Sequence, residues 1–414
     1  MSERRILVQK YGGSSVATVD HIKRVARRVA KNHEDGWSVV VVVSAMGKTT
    51  DGLVGLSRDI TELAPPREMD MLLHAGEIIS SSLLAMAVNE VGIPALSFTG
   101  SQAGMQTDGS HTQARIQTVD GSRILGELER GRVVVVTGFQ GISPGQEVTT
   151  LGRGGSDTSA VAIAVGVGAD RCEILTDVDG IYTSDPRVVP TARKLPWCSY
   201  DEMLEMAVLG ARVLHSRSVE IARRFEVPFQ VCTSFEETPG TWVSTPEIAS
   251  KEFGIMEQVS IRGIAHNTSV TKVSISRVPD RPGIASTIFE DIGQKNINLR
   301  MIVQAQSHDG TNDVTFVIDQ DDLPVVRQMI EDVREKVSGE EIIIAEDVGT
   351  VSVVGEGIAR ESGVAARIFD TLARNDINID LISTSNLMVT CVVPEACVED
   401  AVRALHDELF PDGD

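Results

Sequence analysis

Along the first 245 positions, short runs of β-branched residues alternate with longer stretches whose apolar positions recur every three or four. The spacing predicts strands at 6–9, 38–44, 133–137 and 173–175, and helices at 19–32, 77–91 and 158–166. The run VVVVVS at 39–44 is apolar on both faces, as a central strand must be when helices cover the sheet on both sides. The expected fold class is α/β: a three-layer α/β/α sandwich about a mostly parallel sheet. Ligands of such sheets sit beyond the carboxyl ends of the strands, so the loops at 10–15, 44–51 and 176–187 are expected to converge on one site.

From about 234 to 258 the composition shifts to Glu, Thr, Pro, Ser and Gly, which marks a connector. Beyond it the sequence repeats itself at an offset of eighty. Gly283, Ala285, Ile288, Phe289, Ile297, Asn298 and Ile302 recur as Gly363, Ala365, Ile368, Phe369, Ile377, Asn378 and Ile382. Each copy reads as a small βαββαβ unit. The second lacks a fourth strand, and the unused strand-like run at 258–265 is its expected donor. The expected division is 1–245, a connecting segment at 246–269, then 270–348 and 349–414.

At 414 residues there is room for such a division. No uninterrupted apolar run reaches the ~18–20 residues of a membrane span, and the polar start argues against a secretory signal. A cytoplasmic protein without membrane association is expected. Five scattered cysteines show no paired spacing, so neither a zinc site nor a disulfide framework is indicated. The net charge of −21 opposes nucleic-acid binding. An anionic substrate then needs local positive charge, for which Lys10 and Arg153 are the candidates.

Four segments carry the chemistry. KYGGSS at 10–15 follows a buried strand, where Gly12 and Gly13 expose N–H groups and Lys10 supplies charge; an ordinary glycine turn is the equal alternative. SAMGKTTD at 44–51 is no P-loop, because Val42 stands where the first glycine of that pattern belongs. RGGSD at 153–157 sets Arg153 before two glycines and ends on Asp157, and TDVDGIYTSDPR at 176–187 strings hydroxyls, carboxylates, Tyr182 and Arg187 along one loop. Glu77, read at a helix start, is explained by dipole complementarity or, alternatively, by a substrate amino group. Together they suggest a kinase.

These motifs, with SFTGSQAG at 97–104 and in this order, resemble the aspartokinases of the amino acid kinase superfamily, and the repeats resemble ACT domains that sense amino acids. The resemblance implies ATP-dependent phosphorylation of the L-aspartate β-carboxylate, with Mg²⁺, as the first step toward lysine, threonine and methionine. It implies Lys10, Tyr11, Gly12, Gly13, Ser44, Thr176, Asp177, Tyr182, Arg187 and Arg212 at ATP, and Thr50, Glu77, Arg153 and Ser156 at aspartate. Lys10 and Asp157 would organise the transfer. Asp280, Asn298, Gln304 and Asn378 would contact a lysine or threonine effector. A homo-oligomer formed through the ACT domains is implied, as is a regulatory subunit translated separately from Met256. A sibling kinase acting on glutamate or a nucleotide, and a catalytically silent amino acid sensor, are the competing readings.

Overall fold

Val39 to Val43 are all fully buried, and the strand they form, Trp37–Val43, lies inside an eight-stranded sheet. Burying each valine contributes ~1.5–3 kcal/mol, so this strand anchors the layer. In the computed structural model the described residues are 5–211, 213–254, 261–295, 297–306, 310–358, 361 and 363–411. The sheet order is Trp197–Ser199, Thr241–Ser244, Phe229–Thr233, Arg171–Thr176, Arg5–Tyr11, Trp37–Val43, Val133–Thr137, Ala95–Phe98. All pairings are parallel except that of Phe229–Thr233 with Thr241–Ser244. Val39, Val41 and Val43 pack with helices Val19–Glu34 and Pro66–Glu90. Strand alternation turns Val40 and Val42 to the opposite face, and helix Gly155–Val167 packs on the neighbouring strands. A second sheet of four short strands, Met105–Thr107, Ile116–Val119, Gln140–Ile142 and Val148–Thr150, leads into the RGGSD segment.

Two helix starts differ from expectation. The helix expected from 77 begins at Pro66, where proline suits the first turn because its missing N–H has no intrahelical partner. The helix expected from 158 begins at Gly155. Pro66–Glu90 is long and apolar enough by length and composition to cross a membrane. It nevertheless buries Asp70 and Glu77 against protein partners, as a core helix does.

The chain divides into two compact units. One holds Met1–Ile181, Lys194–Val208 and Arg212–Glu257; the other holds Tyr182–Arg193, Leu209–Ala211 and Gln258–Asp414. The second unit contains two four-stranded sheets of matching order. One runs Met301–Gln306, Thr311–Asp319, Val270–Pro279, Glu341–Ala345. The other runs Leu381–Thr384, Met388–Pro394, Val348–Val354, Gly263–Asn267. Gly263–Asn267 thus takes the place that Glu341–Ala345 fills in the first sheet, antiparallel in both cases. The eighty-residue offset reappears in the backbone: Gly283 and Gly363 open equivalent helices at φ 97° and 104°.

Val188 and Val189 enter the core of the second sheet, beside Ile264, Val351 and Leu405. Thr183 Oγ1 meets His406 Nε2 at 2.9 Å, and Ile264 N donates to Thr183 O at 2.7 Å. The segment Tyr182–Arg193 therefore contributes to this unit's interior although 65 positions separate its end from Gln258–Asp414.

Candidate active site

The parallel strands end in register: Tyr11 lies beside Val43 and Leu175, and Val43 beside Thr137. Their exits are laced by backbone hydrogen bonds. Ser44 N donates to Tyr11 O at 3.1 Å, Gly138 N to Val43 O at 2.9 Å and Gly47 N to Gly13 O at 3.0 Å. Loops far apart in sequence therefore share one rim, the edge where α/β sheets bind ligands.

Lys10 Nζ lies 2.6 Å from Asp157 Oδ1, with side-chain exposures of 10% and 12%. Among the described residues no donor is aligned for a hydrogen bond to this oxygen, so charge holds the contact. Asp157 stands in the first turn of Gly155–Val167, where the helix dipole favours its carboxylate. The preceding Gly154 has φ +68°, and a Cβ there would lie 2.1 Å from the His215 side chain. Only glycine makes this turn. It brings Ser156 into the rim, buried beside Gly138, and leaves Arg153 exposed.

Glu77 is a mid-helix residue, three turns inside Pro66–Glu90, so dipole complementarity at a helix start does not account for it. Its Oε1 accepts from Ala45 N at 3.1 Å, while its Oε2 is buried without a partner among the described residues. Burial raises its carboxyl pKa to about 7, against which the backbone hydrogen bond from Ala45 acts weakly. Ser80 Oγ, on the same helix, donates to Ser44 O at 2.8 Å. Thr50 lies half-buried in the first turn of Thr49–Ile60.

The nucleotide assignments divide. Gly12 N donates to Leu175 O at 3.1 Å and is thereby committed to the fold. A Cβ on Gly13 would lie 2.9 Å from Ala45 O, so this cradle accepts no side chain. Tyr11 is fully buried, and its hydroxyl donates to Gln9 Oε1 at 3.3 Å. Ser44 and Thr176 are half-buried on the rim, and Asp177 is exposed and accepts from Thr176 Oγ1 at 3.0 Å. Tyr182 and Arg187 belong to the second unit, where Arg187 grips Asp185 through two nitrogens. Arg212 lies outside the described residues.

In the second unit Asp280, Asn298, Gln304 and Asn378 are all exposed. Asp280 accepts from Asn312 Nδ2 at 3.0 Å and from Gln306 Nε2 at 3.3 Å.

Sequence reasoning missed Asp70 and its partners. The signal was present in Pro65-Pro66: a helix begun there sets Asp70 and Glu77 two turns apart on one face.

Among the described residues no three His, Cys, Asp or Glu side chains cluster as metal ligands. Mg²⁺ bound with phosphates requires only one or two carboxylates, and Asp157 fits that need.

The amino acid kinase family profile matches residues 5–233, and two ACT domain profiles match 271–335 and 351–409. An aspartokinase of Pseudomonas aeruginosa is 46% identical over 401 residues, covering 97% of this chain and 96% of its own. Escherichia coli aspartokinase III in complex with aspartate and ADP matches with a TM-score of 0.83 at 24% identity, over 98% of this chain and 100% of that one, which bears on the fold alone. The same enzyme in complex with lysine and aspartate matches with a TM-score of 0.76 at 25% identity, over 98% and 99%. With the kinase profile over more than half its length and a near-half-identical relative along almost all of it, the chain belongs to the amino acid kinase family and, within it, to the aspartokinases.

Proposed function

We propose that the chain transfers the γ-phosphoryl group of ATP to the β-carboxylate of L-aspartate, giving 4-phospho-L-aspartate. One observation carries the reading. A buried lysine–aspartate pair stands on the same rim as a buried carboxylate with a free oxygen, Glu77 Oε2, and an exposed guanidinium, Arg153. Glu77 then receives the substrate ammonium, and Arg153 and Ser156 hold its carboxylates, with Thr50 beside them. Lys10 offsets charge on the transferring group, and the cradle at Gly13 receives phosphate oxygens, with Ser44, Thr176 and Asp177 on the same rim. Tyr182, Arg187 and Arg212 keep their nucleotide assignment by resemblance. When bound, ATP with Mg²⁺ supplies the phosphoryl group and neutralises phosphate charge. A carboxylate is already nucleophilic, so these residues need only position and neutralise.

The assignment covers residues 1–245 as the catalytic part, 246–269 as connector, and 270–348 and 349–414 as ACT domains. Lysine or threonine would act at the ACT pair through Asp280, Asn298, Gln304 and Asn378. The lysine-bound relative supports an amino acid effector. Free thiols at all five cysteines suit a cytoplasmic location. A homo-oligomer is supported by Ile302 and Ile382, equivalent residues on the two sheet-edge strands and both nearly half exposed. Met256 lies outside the described residues, and the separate regulatory subunit rests on resemblance.

Coupled ATP turnover with aspartate, glutamate and UMP side by side, each with and without lysine and threonine, tests the reading. Aspartate is expected to be the preferred acceptor and at least one amino acid to slow it; equal or greater turnover with either other acceptor defeats the proposal. Mass analysis of the native protein checks for a second, shorter species beginning at Met256.

A further inference from the structure

One fully buried carboxylate has a complete set of partners and no assigned part in the reaction. Asp70 lies seven residues before Glu77 on Pro66–Glu90, so the two project from one face of the helix. It accepts from His111 Nδ1 at 2.6 Å, from Thr150 Oγ1 at 2.5 Å, and from Thr112 N at 3.0 Å and 3.2 Å to its two oxygens. Such charge-assisted bonds to a buried carboxylate are strong.

All of these partners lead to one loop. Thr150 ends the strand Val148–Thr150, three residues before Arg153. Ala114 N donates to Thr150 O at 2.9 Å, and Arg217 donates to Leu151 O at 2.6 Å and to Ala114 O at 2.8 Å. Thr112 holds φ +67°, a left-handed conformation costing ~1–2 kcal/mol. It is sustained while Asp70 grips its N–H.

We infer that Asp70 is a positioning residue that fixes the Arg153 loop against the helix bearing Glu77, and so sets the span between the two grips on the acceptor amino acid. This rests on the aspartate reading above. A purely structural role would serve only the amount of folded enzyme; a positioning role also governs how long an acceptor the site takes. The relevant comparison is aspartate against glutamate, longer by one methylene, for which hydrophobic pockets give ~10–200-fold discrimination and misplacement by about 1 Å costs up to ~100-fold.

The experiment measures kcat and KM for aspartate, glutamate and ATP in wild-type enzyme and in Asp70→Asn, Thr150→Val and His111→Asn. Asp70→Asn is expected to raise KM for aspartate on the order of tenfold and to narrow the aspartate-to-glutamate ratio of kcat/KM by a similar factor. KM for ATP should stay within about twofold, and Thr150→Val should move the same quantities by roughly threefold. A fall in kcat with both KM values and the ratio unmoved overturns the inference. Should Asp70→Asn fail to fold, Thr150→Val and His111→Asn decide by the same criterion. Wild-type enzyme without aspartate turnover would sink the functional reading and this inference with it; aspartate turnover with an unmoved ratio in the variants would overturn the inference alone.

Discussion

At the residue scale, Lys10 and Asp157 depend on each other. Each is nearly buried, and removing one partner of such a pair leaves a charge that the interior solvates poorly. Lys10→Met is expected to lower kcat by ~10²–10³-fold and to destabilise the fold by about 3 kcal/mol. Adding Asp157→Asn should restore much of the stability and none of the activity. Denaturant unfolding beside steady-state rates checks both halves. Glu77 gives a pH prediction. Burial raises its carboxyl from an ordinary 4.5 to about 7, so the folded protein holds this proton more tightly than the unfolded chain. The associated stability is fully present below about pH 4.5 and is lost as pH rises through about 7. The loss amounts to roughly 3 kcal/mol, and Glu77→Gln should remove it from the pH profile of unfolding. Aspartate affinity runs the other way, because the substrate ammonium needs the ionised carboxylate. KM for aspartate should fall as pH rises from 6 to 8 in the wild type and stay flat in Glu77→Gln.

At the element scale, the turn at Gly154 decides whether Arg153, Ser156 and Asp157 leave one loop in three useful directions. A methyl group there strains a left-handed residue and strikes His215. Gly154→Ala should cut aspartate kcat/KM by tenfold or more and cost more stability than the ~1–2 kcal/mol of the left-handed backbone alone, because His215 must also shift, as paired kinetics and thermal melts would show. The strands were the most legible elements because runs such as 39–43 are uniformly apolar, and the repeat was legible because both copies solve the same packing problem. Helix starts were less so: apolar period alone placed Glu77 at a helix start, whereas Pro66 had already opened the helix eleven residues earlier. Strand-end logic anticipated the convergence of the 10–15 and 44–51 loops, whereas Asp157 was singled out by its glycine turn and by resemblance. Pro65-Pro66 signalled the face that Asp70 shares with Glu77, but the partners of Asp70 could not be foreseen, because they come from separate segments whose spacing in sequence carries no pattern.

At the scale of the whole molecule, the exposed Ile302 and Ile382 sit on sheet edges that offer unpaired backbone as well as apolar surface. If the proposed homo-oligomer forms through these edges, Ile302→Lys with Ile382→Lys should lower the mass seen in light scattering, leave each sheet folded, and weaken any inhibition by lysine or threonine. An effector inhibits only through unequal affinity for alternative arrangements, so loss of assembly removes the arrangement it selects.

Tyr182–Arg193 closes the apolar cluster beneath the second repeat sheet although it is encoded in the midst of the kinase profile. Hybrids that swap sensory halves between relatives by a single cut near residue 245 would strip Val188 and Val189 from the surface they evolved to seal. A functional chimera must carry 182–193 and 209–211 with its new sensor, as three transplanted pieces in one design.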